Sequence, residues 1–271
     1  MNLYRYARRV VISTRLDDKL TPPSAPLQLP AERPRPERIA APGRPAQLAP
    51  VPGRDVRVPP ASGMSDPHQR ARILHALANH ELQAVELFAW AALAFPDAPD
   101  ELLRGLMAIL VEEQRHTTLY LERLAALGVA LGDYPVTAHF WRQAEHIHSP
   151  LAFMCTMGLT FENANLDFAR ELCAAARAAG DEQTAQVLET VHADEIRHVR
   201  FGWRWLQRLR DDNSDSWQTY LDNVAGSLGP GRARGASFDR ESRLAAGLDE
   251  AFVDHLEAVT ARTPAGDPRS R

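Results

Sequence analysis

Cysteine is nearly missing from this chain: Cys155 and Cys173 are the only two in 271 residues, too few for a disulfide framework or a thiolate cluster. Both fall in helical patterns where a small apolar side chain fits, so the compartment reads as reducing. Lysine is scarcer still. Lys19 is the sole lysine among 31 basic residues, which reads as a bias toward arginine and alanine, and no function is drawn from it. A strong net charge is also lacking, and a formal value of -4 gives no basic footprint for nucleic acid. No run nears the roughly 18 consecutive apolar residues of a membrane span, and Arg8-Arg9 is followed only by a short apolar-leaning stretch, Val10 to Ser13, unlike a secretion signal. The expectation is a cytoplasmic protein without a membrane span or a nucleic-acid partner.

Proline, by contrast, is concentrated. Twelve of the 20 prolines lie between Pro22 and Pro60, interleaved with arginines, which excludes continuous helix there. Residues 1–65 therefore read as a proline/arginine-rich extended arm. Its first 60 residues carry eleven basic against five acidic side chains, a charge of +6, and the remainder of the chain is at -10. A basic arm lying on an acidic body accounts for this, and docking of a partner through the arm stays open.

Helix signals begin at Asp66-Pro67, a cap followed by proline, and continue along the stripe Leu74, Leu77, Glu81, Ala84, Phe88, Ala91 and Phe95 until Pro96 and Pro99. A second stripe runs Leu103, Leu106, Leu110, Glu113, Thr117, Tyr120, Leu124 and Leu127 to a stop at Gly128. About 20 residues of crossover follow, with one short helix expected around Thr137 to His146. Ser149-Pro150 opens a third helix ending near Gly180, and Asp181 caps a fourth ending near Asp211. Two hairpins and a long connection predict an all-α four-helix bundle over residues 66–212. Beyond it, residues 213–271 read as a helical extension, with helices around Ser216 to Val224 and Asp249 to Thr260 and a disordered tail from Thr263.

Two pentapeptides carry the chemistry, Glu112-Glu113-Gln114-Arg115-His116 and Asp194-Glu195-Ile196-Arg197-His198. Each contains Glu-x-x-His, and residues three apart on a helix lie about 60° from one another, so carboxylate and imidazole reach one metal from one face. Di-iron carboxylate bundles add one glutamate from each of the other two helices. Depth from the hairpin turns selects them. Glu113 lies sixteen residues beyond a turn near Asp97 and Glu81 sixteen before it, whereas Glu86 would be misplaced by about 7 Å along the axis and sits about 140° around from Glu81. About the second turn, near Ala179, Glu195 lies sixteen beyond and Glu162 seventeen before, with Glu171 too close.

The expected metal ligands are thus Glu81, Glu113, His116, Glu162, Glu195 and His198, the two halves separated by a nearly constant 81 or 82 residues. Six such groups at one depth would be strongly unfavourable to bury without cations. Carboxylate and imidazole suit two iron ions, with manganese or a mixed pair also compatible. Glu112, Asp194, Arg115 and Arg197 are positioned to support the ligands from outside. His192 reads as a hydrogen-bonded core histidine, Tyr120 as core packing, and His139, His146 and His148 as exposed or capping groups on the crossover. Asn165 could face a pocket with Phe161, Met154, Phe88 and Trp90 as apolar walls.

Through His80 to Leu87, Phe95 to Pro99, Gly132 to Val136 and the Asp194 to His198 motif, the chain resembles a bacterial ferritin-like di-iron carboxylate family defined by an uncharacterised domain. The likeness extends from the arm to about Leu256 and includes Phe238 to Gly247. The two acidic-pair Arg-His motifs also resemble those of soluble acyl-carrier-protein desaturases, and the plan is similar to rubrerythrins and tRNA-hydroxylating monooxygenases. The resemblance implies a di-iron cluster and O2 activation; where several oxygen-activating relatives place threonine one turn after the third-helix glutamate, this chain has Asn165. The leading expectation is an oxidoreductase that uses O2 to hydroxylate, desaturate or N-oxygenate a small-molecule substrate. Its electrons would come from a separate reductase or from the substrate, and a homodimer is open. The alternatives are a ferroxidase or peroxide scavenger, and a non-enzymatic assembly protein whose metal is structural.

Overall fold

The computed structural model describes residues 1–226 and 228–261, so the expected tail from Thr263 lies outside the described residues. Among those residues the fold is all-α, with ten α-helices and no strand beyond an isolated bridge at Asn2 and Gln28. None of these helices is long and apolar enough to cross a membrane. Contacts divide the chain into two compact units, one of Met1–Val58 with Pro67–Glu145, the other of Pro59–Asp66 with His146 onward.

The first unit is built on a hairpin of α3 (Pro67–Ala94) and α4 (Asp100–Ala126), which follow α1 (Leu3–Ile12) and α2 (Leu16–Leu20) in the chain. Asp100 and Glu101 favour the amide-rich start of α4, and Gly128 at φ 74° closes its end, where Val129 N–H reaches the Leu124 carbonyl. Residues 3–12 and 16–20 are helical where the sequence reading carried an extended arm from the first residue. The prolines begin only at Pro22, and α1 buries Leu3, Tyr4, Tyr6, Ala7, Val10 and Val11 along one side. Asn2 caps it through its side chain, accepting from Arg5 N–H.

What fastens this arm is an ion cluster. Lys19, fully buried, places its ammonium 3.1 Å from Glu86 Oε1 and donates to the Val10 and Val11 carbonyls at 2.7 and 3.0 Å. Arg44 grips the same buried Glu86 with Nε and Nη2, at 3.0 and 2.7 Å, and gives Nη1 to Asn79 Oδ1. Two cations face one carboxylate, and the carbonyl-rich end of α1 supplies the balancing negative potential. Burial lowers the Lys19 pKa, with Glu86 opposing that fall. The sole lysine is therefore a structural hub. Downstream the arm runs along α3: Trp90 Nε1 donates to Ile39 O, and Gly43 approaches α1 so closely that a Cβ there would lie 2.0 Å from Ile12 O.

The second unit is built on the hairpin of the third and fourth long helices. Ser149 caps α5 (Pro150–Phe153) by accepting from Ala152 N–H, and proline stands at the first turn. The helix continues through a π-helical stretch, Met154–Phe161, into α6 (Glu162–Ala178). Gly180 at φ 75° turns the chain, and Asp181 caps α7 (Glu182–Leu209), accepting from Thr184 N–H at 3.0 Å. Thr160 Oγ1 donates to the Cys155 carbonyl five residues back, which suits the wider π-turn.

Gly158 and Gly202 meet where this stretch crosses α7: a Cβ on Gly158 would lie 2.9 Å from Gly202 Cα. Backbone cannot yield as a side-chain tip does. Gly158→Ala should therefore lower stability by about 1–2 kcal/mol despite alanine's better helix propensity, as read by chemical denaturation. An unchanged or raised midpoint would show that the crossing has slack.

Three further helices, α8 (Ser216–Asn223), α9 (Arg240–Ala245) and α10 (Glu250–Ala258), cover an apolar face formed by Leu159, Leu166, Val199, Trp203 and Leu206. Asp215, Asp239 and Asp249 cap them in turn. Helix α9 has no counterpart among the helices expected from the sequence. Its Arg243, fully buried, makes a paired contact with Asp167 at 2.7 and 2.9 Å and donates to the Asn163, Ala233 and Asp239 carbonyls. Asp167 also accepts the Gly235 and Asp239 amides, so one buried pair anchors the extension.

Candidate metal centre

Each unit gathers two carboxylates and one imidazole. In the first, α3 supplies Glu81 and α4 supplies Glu113 and His116, with donor atoms within 4.8 Å of one another. His116 Nδ1 lies 3.5 Å from Glu113 Oε2 and 3.7 Å from Glu81 Oε2. Glu113 and His116 are on one helix face because they are one turn apart; Glu81 meets them because equal distances from the hairpin turn bring equal depths. All three are buried. Burial pushes the Glu81 carboxyl well above the usual carboxylate range, and the Glu113 charge beside it adds to the rise. Burial alone would lower His116, but the Glu113 and Glu81 carboxylates overcome it and raise the imidazole to about 10. Two carboxyl groups and an imidazole are thus closed off from water beside one another, each shifted by the others, a donor set that a cation would satisfy.

In the second unit, Glu162 from α6 joins Glu195 and His198 from α7, again with donor atoms within 4.8 Å. His198 Nδ1 lies 3.3 Å from Glu195 Oε2, and all three residues are buried. Asn165, one turn after Glu162, donates its amide to Glu195 Oε1 at 2.8 Å. The other oxygen, Oε2, is shielded from solvent and accepts no hydrogen bond.

The surrounding residues divide sharply. Asp194 is buried and ion-paired with Arg197, whose side chain is half exposed. Glu112 is partly buried and Arg115 exposed. Glu86, which depth had set aside as a ligand, is the fully buried partner of Lys19 and Arg44. Glu171 is exposed. His192 contacts Asp239 and Ser242 rather than the trio, at 3.3 and 3.2 Å, in keeping with a hydrogen-bonded histidine. His146 and His148 are exposed, Tyr120 is buried, and Trp90 is occupied with the arm. The Asn165 bond to Glu195 is not among the contacts expected from the sequence, where the asparagine's position one turn from Glu162 is the available signal.

Buried carboxylates with imidazole and no thiolate fit an iron, manganese or zinc ion. Both cysteines are buried, and burial raises their thiol pKa values, against thiolate ligation. The buried, hydrogen-bond-free Glu195 Oε2 is the kind of atom a cation satisfies. Residues 5–254 match the model of a family described as a protein of unknown function, DUF455. No curated protein and no solved structure matches the chain.

Proposed function

We propose that this chain, which belongs to the DUF455 family, is a non-haem di-iron oxidoreductase that uses O2 to oxidise an organic substrate by hydroxylation, desaturation or N-oxygenation. In this reading the α3/α4 and α6/α7 hairpins assemble as one ferritin-like bundle over residues 66–212, and the two trios act as a single dinuclear centre. Glu81, Glu113, His116, Glu162, Glu195 and His198 hold the two metals. Glu112, Asp194, Arg115 and Arg197 tune the ligands from outside.

The observation that carries the reading is repetition: each unit independently brings a Glu-x-x-His pair and a glutamate of its hairpin partner into one buried cluster. One such trio is compatible with many structural roles; two with the same donors suit paired metals. Ferrous ions, if held by these residues, would supply the electrons that reduce O2, while the buried side chains would orient the metals and keep water out. With only two cysteines, both buried, the chain has no cysteine cluster of its own, and replacement electrons come from a separate reductase or from the substrate.

The test is metal analysis followed by anaerobic Fe(II) loading and rapid mixing with O2. About two irons per chain and a transient visible absorbance on mixing are expected. Fewer than about one metal per chain after reconstitution would remove the site itself. Oxidation of many irons per chain would point to iron storage, and metal uptake without any reaction with O2 to a structural role.

A further inference from the structure

Helix α1 concentrates positive charge on the side away from its buried residues. Arg5, Arg8 and Arg9 lie three and four residues apart and so share one face, while the segment Leu3–Ile12 holds no acidic residue at all. Like charges at this spacing repel, and Arg5 in the first turn also opposes the helix dipole. An anion on this face would offset both costs.

The three side chains line an open cleft of about 520 Å³ along α1 and the turn after it, with Ile12 and Arg15 completing the wall. Four guanidiniums share that lining with one carboxylate, Asp18, which already accepts from Ser13 Oγ at 2.7 Å. Their own commitments are few. Among the described residues neither Arg5 nor Arg9 has an acidic partner. The half-buried Arg9 rests its guanidinium 5.2 Å from the centre of the Tyr6 ring, with Nε and Nη2 closed off from water and without a hydrogen bond. It is a cation without a counter-charge, which is unfavourable in proportion to its burial. Arg8 commits only Nε to Glu37, and Arg15 stands 3.6 Å from Asp17 with both side chains exposed. Exposed pairs of this kind are weak and exchange readily. The last carbonyls of α1 do not repel an incoming anion freely, because Lys19, Gly43 and Ser13 engage those of Val10, Val11 and Arg9.

We propose that this cleft binds the oligophosphate group of a small molecule. Each planar guanidinium can donate two parallel hydrogen bonds to phosphate oxygens, and several around one opening suit a chain of phosphates. A single phosphate carries about two negative charges at neutral pH, whereas four guanidiniums less one carboxylate leave three positive charges in the lining. Linked phosphates balance that lining better. The volume is that of a small-molecule site, and the exposed side chain of Ile12 offers an apolar contact to whatever carries the phosphates. This site stands apart from the metal reading and does not rest on it.

The experiment titrates the full chain by calorimetry with pyrophosphate, ADP, adenosine and sulfate. Saturable binding of pyrophosphate below about 1 mM is expected. Arg5→Gln and Arg9→Gln should each weaken it by about tenfold, the scale of a charged hydrogen bond. Arg54→Gln, an equal charge change at an exposed arginine outside the cleft, should leave it within about twofold. Arg5 is exposed, so its variant tests the site even where Arg9→Gln disturbs the Tyr6 contact; circular dichroism checks folding of both.

Tighter binding of ADP than of pyrophosphate would uphold the site with a nucleotide as its ligand, and the reverse order would uphold it with a free oligophosphate. Absence of saturation with either would overturn the proposal. So would equal affinity for sulfate or adenosine, or an equal loss in Arg54→Gln, since general charge or the nucleoside alone would then account for binding. Binding that disappears once the protein is stripped of metal would overturn it as well, because the phosphates would then sit on the metal.

Discussion

Glu86→Gln is expected to destabilise the protein by about 3–5 kcal/mol, a large part of the stability of a typical domain. The substitution preserves shape and removes one negative charge. Lys19 and Arg44, both held in the interior against that carboxylate, are left as buried cations without a counter-charge. Replacing a whole buried pair by apolar groups can be neutral, whereas removing one partner leaves the other's desolvation uncompensated. Because Lys19 also ties down the last carbonyls of α1, the loss should appear first as detachment of residues 3–44. Hydrogen exchange of α1 amides alongside chemical denaturation measures this. A change below about 1 kcal/mol would mean that the cluster contributes little to stability, as exposed pairs do.

The same substitution five residues earlier on the same helix should have the opposite profile. Glu81→Gln puts a neutral amide in place of a carboxyl that burial, and then the Glu113 charge, already push well above its usual range and so toward its neutral form. The metal-free protein should hold its stability or gain slightly, since sites kept for function are commonly strained. Metal uptake should suffer instead: at least about half of the metal bound per chain should be lost, with the remainder weakened at least tenfold, because an amide is a poor substitute for an anionic ligand. Elemental analysis after reconstitution, paired with the denaturation midpoint of the metal-free form, separates the two carboxylates. Full metal retention in Glu81→Gln would remove Glu81 from the ligand set. A loss of metal-free stability equal to that of Glu86→Gln would mark it as structural.

The parts of the fold legible in the sequence were those with local causes. Ser149-Pro150, Asp181, Gly128 and Gly180 announce helix ends because caps, proline and positive φ act within a few residues. The grouping of Glu81 with Glu113 and His116 was also legible, since a fixed rise per residue turns distance from a hairpin turn into depth. The partners of Glu86 were not. Lys19 lies 67 residues away, just before the proline-rich stretch, and a single lysine in an arginine-rich chain looks like drift. The Asp167–Arg243 pair spans 76 residues and escaped for the same reason, and with it went α9, too short to show a period. The π-helical stretch has no signature in residue spacing: Gly158 reads as a weak spot in an ordinary helix until its close approach to Gly202 is seen.

The burial of Lys19 has a consequence for the chemistry of the surface. Its ε-amine is the only one in the chain and is closed to solvent, so the folded molecule presents no lysine to acylating, methylating or conjugating reagents. Any such adduct on Lys19 records that the α1 end and the Glu86 contact had already come apart, and the side chain serves as a built-in reporter of that opening.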